Sequence, residues 1–139
     1  MSEVLTIQGH RGLGPPVRGE ALAAEDGFSA RYDLDRLKGV FSRPAHKLYG
    51  EGYVGRVLVL DKAKGGVATA WMLHEMAARG MAPLALLLNH ANPVMAQGAA
   101  LAGICLIDRF EEDVTRAVRS GDEVEADPQS GRVRVRRRV

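Results

Sequence analysis

Residues Arg56-Val57-Leu58-Val59-Leu60-Asp61-Lys62-Ala63-Lys64-Gly65-Gly66-Val67-Ala68-Thr69-Ala70-Trp71-Met72-Leu73 read as a buried strand, a glycine turn and the start of a helix. Val57, Leu58, Val59 and Leu60 form an unbroken aliphatic run, the pattern of a strand covered on both faces. Gly65 and Gly66 then allow positive φ or a close backbone approach. From Val67, the apolar residues Ala70, Trp71, Leu73, Ala77 and Ala78 recur at helical spacing, and Gly80 with Pro83 supplies the stop. A helix N-terminus opened by glycines beside Lys62 and Lys64 suits an anion. It equally suits plain turn geometry, since neither a P-loop nor a Gly-x-Gly-x-x-Gly pattern lies here.

Further along, residues 84–88 and 104–107 are two more continuous apolar runs. Between them Asn92 and Pro93 form a helix start signal, Val94, Met95, Ala99 and Leu101 give an apolar face, and Gly103 ends the helix. Strand, helix, strand, helix, strand in so short a space predicts parallel β-α-β units with right-handed crossovers. On the N-terminal side, Val4, Leu5, Thr6 and Ile7 read as a strand, a Gly/Pro loop follows, and residues 19–23 read as a second strand. Residues 28–33 are irregular, and residues 35–55 are punctuated by Gly39, Pro44, Gly50, Gly52 and Gly55. On the C-terminal side, residues 114–118 read as a short helix or turn. Val124 and Ala126, the turn at residues 127–131, and Val133 with Val135 then make an amphipathic hairpin whose arginines face solvent. The expected architecture is an α/β fold over residues 1–139, with a central β-α-β layer flanked by β-strands from both ends of the chain.

With 139 residues, 46% of them apolar, the chain has the composition of one globular domain. Its net charge of +2 comes from the final arginines, and the remainder is slightly acidic. The basic end lacks the aromatic platform and zinc spacing of a nucleic-acid binder, so no nucleic-acid partner is expected. Cys105 lies inside an apolar run, where a buried thiol is the expected state. No signal peptide or membrane-length run is read, which predicts a cytoplasmic protein without a membrane contact. His46 stands in the long loop-rich segment, as a capping or solvated group or as part of a site. Glu20 and Asn89 suit buried hydrogen bonding near sheet ends.

Three stretches together resemble the swivelling small domain of the aconitase X family. Gly19-Glu20-Ala21-Leu22 followed by Phe28-Ser29 is similar to the family's Gly-Glu-Ala-Leu and Ile-Ser-Phe segment. His46-Lys47-Leu48-Tyr49-Gly50 with Val54-Gly55-Arg56-Val57-Leu58-Val59 is similar to its His-Pro-Leu-x-Gly and Gly-Lys-Val-Leu-Val segments. Lys64-Gly65-Gly66 stands where the family often has Lys-Gly-Ser, and Ala82-Pro83-Leu84-Ala85, Asn92-Pro93-Val94 and Gly98-Ala99 follow at the family's spacings.

The resemblance implies a swivelling β/β/α fold, as a separate small subunit or fused to a large one, closing over an active site built mostly on a large partner. That partner dehydrates a small hydroxy acid and supplies the ligands of any iron or iron–sulfur centre. The family's substrate classes include 3-hydroxyproline and mevalonate 5-phosphate. This chain is expected to bind no cofactor or metal itself and to be inactive without the large subunit. Ser29, His46, Lys64, Gly65 and Gly66 become the substrate-binding candidates. The family's proton-transferring serine aligns with Gly66, which has no side chain to carry a proton. Three alternatives stand: the hydroxyl of Thr69, one turn on, reaches the same space; the large subunit does the proton work; or the chain is a noncatalytic swivelling or assembly domain that binds an anion or a partner protein.

Overall fold

The computed structural model describes residues 2–65 and 67–138, and Gly66 lies outside them. The described elements are, in chain order, β1 (Ser2–Gln8), β2 (Val17–Ala23), β3 (Leu34–Asp35), β4 (Val40–Phe41), β5 (Val57–Lys62), α1 (Val67–Ala78), β6 (Ala85–His90), α2 (Pro93–Leu101), β7 (Cys105–Ile107), α3 (Val114–Ala117), β8 (Glu123–Asp127) and β9 (Arg132–Arg138). Seven of them form one sheet in the order β1-β9-β8-β2-β5-β6-β7, and β3 pairs with β4 as a separate two-residue ladder.

The parallel half is the expected one: β5 pairs with both β2 and β6, and β6 pairs with β7, all in parallel. Strand β2 joins the two halves. Val17–Glu20 face β8 in antiparallel register, and Ala21–Ala23 face β5 in parallel register. The hairpin β8–β9 then carries β1 on its outer edge, so the first and last strands both lie in the antiparallel half.

Alternation along each interior strand sorts the core into two layers. Leu58, Leu60, Leu86 and Leu88 meet Leu73 and Met76 of α1, Met95 and Ala99 of α2, and Phe28, Phe41 and Tyr53 of the loop-rich segment. Val57, Val59, Leu87 and Ile107 face the other way, onto Val114, Val118, Val124, Val133 and Val135. The long irregular segment is therefore a packed cover on the helical face of the sheet.

The helix faces differ from the expectation. Trp71 and Leu101 are 69% and 75% exposed, and Val67 and Val94 are also exposed. Thr69, Leu73 and Met76 line the buried side of α1, and Met95, Gly98 and Ala99 that of α2. The reason is the close crossing of the two helices: a Cβ on Gly98 would stand 2.7 Å from the α-carbon of Ala70. Small residues make that crossing, which turns the larger side chains outward.

The C-terminal arginines divide. Arg132, Arg134 and Arg136 line the exposed strand face, but Arg137 turns to the buried Asp122. Its Nη2 donates to Asp122 Oδ2 at 2.8 Å and to Ala117 O at 2.9 Å, and its Nε donates to Asp122 Oδ1 at 3.1 Å. Removing one member of a buried pair strands the other charge. Arg137→Ala is therefore expected to cost about 3 kcal/mol, read as a lower denaturant midpoint at unchanged slope, whereas Arg134→Ala should move the midpoint little.

Candidate functional site

The glycine turn is built by β5 running on past its last ladder residue. Ala63 N donates to His90 O at 2.9 Å, Lys64 N donates to Phe28 O at 2.8 Å, and Phe28 N donates to Lys62 O at 2.9 Å. These bonds lock the residues just before the turn between β6 and the start of the loop-rich segment. Gly65 then adopts φ +90°, and a Cβ there would lie 2.8 Å from the Thr69 hydroxyl oxygen. Conformation and space both require glycine at this position. Asn92 ties the turn to the next helix: its Nδ2 donates to Gly65 O at 3.1 Å, and its Oδ1 accepts from Met95 N at 2.8 Å as the α2 cap.

Beside the turn, the segment from Asp26 to Leu48 folds around two carboxylates. Asp33 is wholly buried. Its Oδ2 accepts from Ser29 N at 2.9 Å, its Oδ1 lies 3.3 Å from Arg43 Nη1, and Lys64 Nζ stands 3.9 Å from Oδ2. Asp26 Oδ1 accepts from Gly27 N at 2.7 Å and Oδ2 accepts from Lys47 N at 3.0 Å. Partial burial pushes the Asp26 carboxyl up, but the Lys47 and Gly27 N–H groups outweigh it and hold the group below the ordinary carboxylate range.

His46 is buried and stacked on Phe41, with ring centroids 4.7 Å apart. Leu48 N donates to its Nδ1 at 3.0 Å, which leaves the proton on Nε2, 2.8 Å from Gly27 O. Both ring nitrogens are thus spent on backbone, and the ring staples residue 27 to the segment nineteen positions later. Asp26 and Asp33 oxygens lie 3.8 and 3.9 Å from Nε2.

Of the residues singled out in the sequence, Ser29, His46 and Lys64 gather around Asp33, next to Gly65. Ser29 is buried, its Oγ accepting from Tyr32 N at 3.2 Å. Lys64 is the accessible cation of the group, with 43% of its side chain exposed. Thr69 is 1% exposed, and its hydroxyl oxygen lies 2.8 Å from where a Cβ on Gly65 would stand. Gly66, at the family's serine position, is outside the described residues. Glu20 and Asn89 lie elsewhere. Glu20 accepts from Arg56 Nη2 at 2.9 Å, and Asn89 donates to Asp61 and Asp113 and accepts from Val114 N.

Sequence reading missed Asp26, Asp33 and Arg43. They stand among Arg31, Asp35, Arg36, Lys38 and Lys47 of the same segment, and nothing in the sequence sets them apart. Nothing local says that they converge, because the partners of Asp33 are 4, 10 and 31 residues away.

Cys105 is buried in β7, and burial, with the nearby Asp127 carboxylate, pushes its thiol up to about 12. Among the described residues no group of three or more His, Cys, Asp and Glu side chains is placed to hold a metal ion. The donor set of this chain does not fit an iron–sulfur cluster, which needs several thiolates. None of the described helices is long and apolar enough to cross a membrane.

Residues 6–135 match the family model of the aconitase X swivel domain. The chain is 32% identical over 127 residues to the phosphomevalonate dehydratase small subunit of Methanocella arvoryzae, an alignment covering 91% of this chain and 96% of that one. It is 36% identical over 120 residues to the protein of the same name from Methanopyrus kandleri, covering 86% and 88%. In fold it is similar to the crystal structure of Thermococcus kodakaraensis aconitase X in its holo-form, with a TM-score of 0.86 at 21% identity over 94% of this chain and 98% of that one. It is also similar to the solution NMR structure of a UPF0107 protein, with a TM-score of 0.83 at 27% identity over 93% and 97%. With a family model matched over nearly its whole length and the corresponding fold, the chain belongs to the aconitase X swivel domain family.

Proposed function

We propose that this chain is the small subunit of an aconitase X-type hydro-lyase, closing over an active site on a large partner that dehydrates a small phosphorylated hydroxy acid of the mevalonate 5-phosphate kind. The observation that carries the reading is the convergence of family-matching segments on one place. Residues 28–29, 46–50 and 64–65 come from separate parts of the chain and meet beside the start of α1. The names of the relatives at 32% and 36% identity support the substrate class.

In such a dehydration a proton leaves the carbon next to the carboxylate and hydroxide leaves the neighbouring carbon, giving an unsaturated acid and water. Negative charge builds on the carboxylate as the C–H bond breaks. A fixed cation is worth most where charge develops. Of the two half-exposed cations on Asp33, Arg43 and Lys64, the reading gives this part to Lys64, which stands one residue before the glycine turn in a family-matching segment. Ser29 and Gly65 shape the wall beside it, and His46 holds the wall together through its backbone bonds. An iron or iron–sulfur centre, where the enzyme has one, belongs to the large subunit.

In this reading the buried Thr69 supports the turn, and the proton transfer falls to the large subunit. Thr69→Val, which removes the hydroxyl and keeps the shape, is expected to leave turnover of the two-chain enzyme essentially unchanged. A fall of orders of magnitude with the fold intact would return Thr69 to the chemistry.

The test of the whole reading is co-expression with an aconitase X-type large subunit, co-purification, and assay of mevalonate 5-phosphate and other hydroxy acids for enoate absorbance or loss of water by mass. Turnover that needs both chains is the expected result. A stable complex that dehydrates none of them favours the second reading, a noncatalytic assembly domain, for which the absence of a hydroxyl at residue 66 and the burial of Thr69 speak.

A further inference from the structure

Asp33 is a wholly buried anion beneath two half-exposed cations: the side chains of Arg43 and Lys64 are 45% and 43% exposed, and that of Asp33 is 0%. A carboxylate is costly to bury, and a neutral acceptor would satisfy the turn it sits in. The turn asks only that Ser29 N–H be met, at 2.9 Å, while Ser42 N donates to the Asp33 carbonyl and not to its side chain. A neutral residue would not supply the charge under Arg43 and Lys64.

The path of Lys64 is also built. Its stem runs across Gly27, where a Cβ would overlap Lys64 Cε. Gly27 is not in the left-handed region, so its missing side chain serves room rather than backbone conformation. The groups around the ammonium are Asp33, whose other oxygen lies 3.3 Å from Arg43, Asp26, which feels its charge, and the His46 ring, which shares the same Asp33 oxygen at 3.9 Å.

We propose that Asp33 is a positioning residue: its buried carboxylate draws the Lys64 ammonium across Gly27 and fixes it at the rim of the Gly65 turn, where it meets an anionic group of the substrate. The catalytic consequence rests on the function proposed above, whereas the geometry does not.

Two measurements test it. In the isolated full chain, NMR should show a nuclear Overhauser contact between Lys64 Hε and Gly27 Hα. Asp33→Asn should abolish it while the amide spectrum stays that of a folded protein. In the two-chain enzyme with mevalonate 5-phosphate, Asp33→Asn should lower kcat/KM on the order of 100-fold, as a ~1 Å misplacement of a catalytic group does. Introduced on top of Lys64→Ala, it should change kcat/KM within about twofold, because its effect runs through Lys64.

If Asp33→Asn does not fold, Gly27→Ala takes its place. The one overlap the new Cβ meets is with the flexible end of Lys64, and Lys62 O at 3.3 Å needs to give by only a few tenths of an ångström, so the fold should survive with Lys64 displaced and the same loss of kcat/KM. The proposal is overturned by a Lys64–Gly27 contact that persists in Asp33→Asn, by an equal loss with and without Lys64, or by full activity in Gly27→Ala. A wild-type complex without turnover sinks the proposed function instead, and the contact alone then decides for or against Asp33.

Discussion

Gly12→Ala is expected to destabilise the protein by about 3 kcal/mol or more, lowering the melting temperature by about 10 °C. A Cβ on Gly12 would overlap the backbone oxygen of Leu106 and stand 3.1 Å from Ile107 Cγ1. Neither neighbour can yield. Leu13 N donates to Leu106 O and Leu106 N donates to Leu13 O, both at 2.9 Å, and Gly12 N donates to Pro128 O at 2.7 Å. The loop after β1 is thus clamped between β7 and the β8–β9 turn, with Gly9 N donating to Gly131 O at 2.8 Å and His10 N to Asp108 O at 3.0 Å. Strand β7 is the edge of the sheet, and this loop covers backbone groups that an open edge would expose. The alanine must therefore either tear the loop from the edge or strain both. Gly50→Ala and Gly103→Ala make the comparison, since each has positive φ but open space around it, and each should cost only about 1–2 kcal/mol. Thermal unfolding of the three variants checks the order; a Gly12→Ala protein that melts with the other two would mean that the clamp bears no load.

The contrast between those glycines marks where sequence reading stops. Positive φ at a turn is legible from neighbours, as at Gly65 between a β-branched run and a helical period, because the cause is local. The close approach at Gly12 is set by Leu106, more than ninety residues on, and at Gly98 by Ala70 on another helix. The same division runs through the core. The three aliphatic runs announced strands covered on both faces, because such burial removes alternation, though the third, β7, is the sheet edge, and Asn92-Pro93 announced the start of α2. The outward turn of Trp71 and Leu101 was not legible, since it depends on how closely two small-residue faces cross. For the site, resemblance to a family supplied Ser29, His46 and Lys64 as positions. Only the fold supplied Asp33, the wholly buried side chain on which they close.

Lys64→Ala is expected to lower kcat/KM of the two-chain enzyme about 100-fold, the size of effect that follows the loss of one group facing developing charge. The fold should tolerate the change. Asp33 keeps Ser29 N–H at 2.9 Å and Arg43 at 3.3 Å, and the lysine side chain is 43% exposed, so solvent screens much of what the pair contributes. Steady-state kinetics then separate two ways in which the cation acts. If Lys64 grips a remote anionic group of the substrate equally before and during reaction, KM rises and kcat holds. If it faces the carboxylate on which charge gathers as the C–H bond breaks, kcat and kcat/KM fall together. The function proposed above expects the second. Lys64→Arg sharpens the test, because a guanidinium carries the same charge on a longer, planar head. It should restore binding of an anion but overshoot the place that Gly27 and Asp33 define, recovering KM more than kcat. Unchanged kinetics in Lys64→Ala would remove this chain's cation from the reaction and leave the subunit an assembly role.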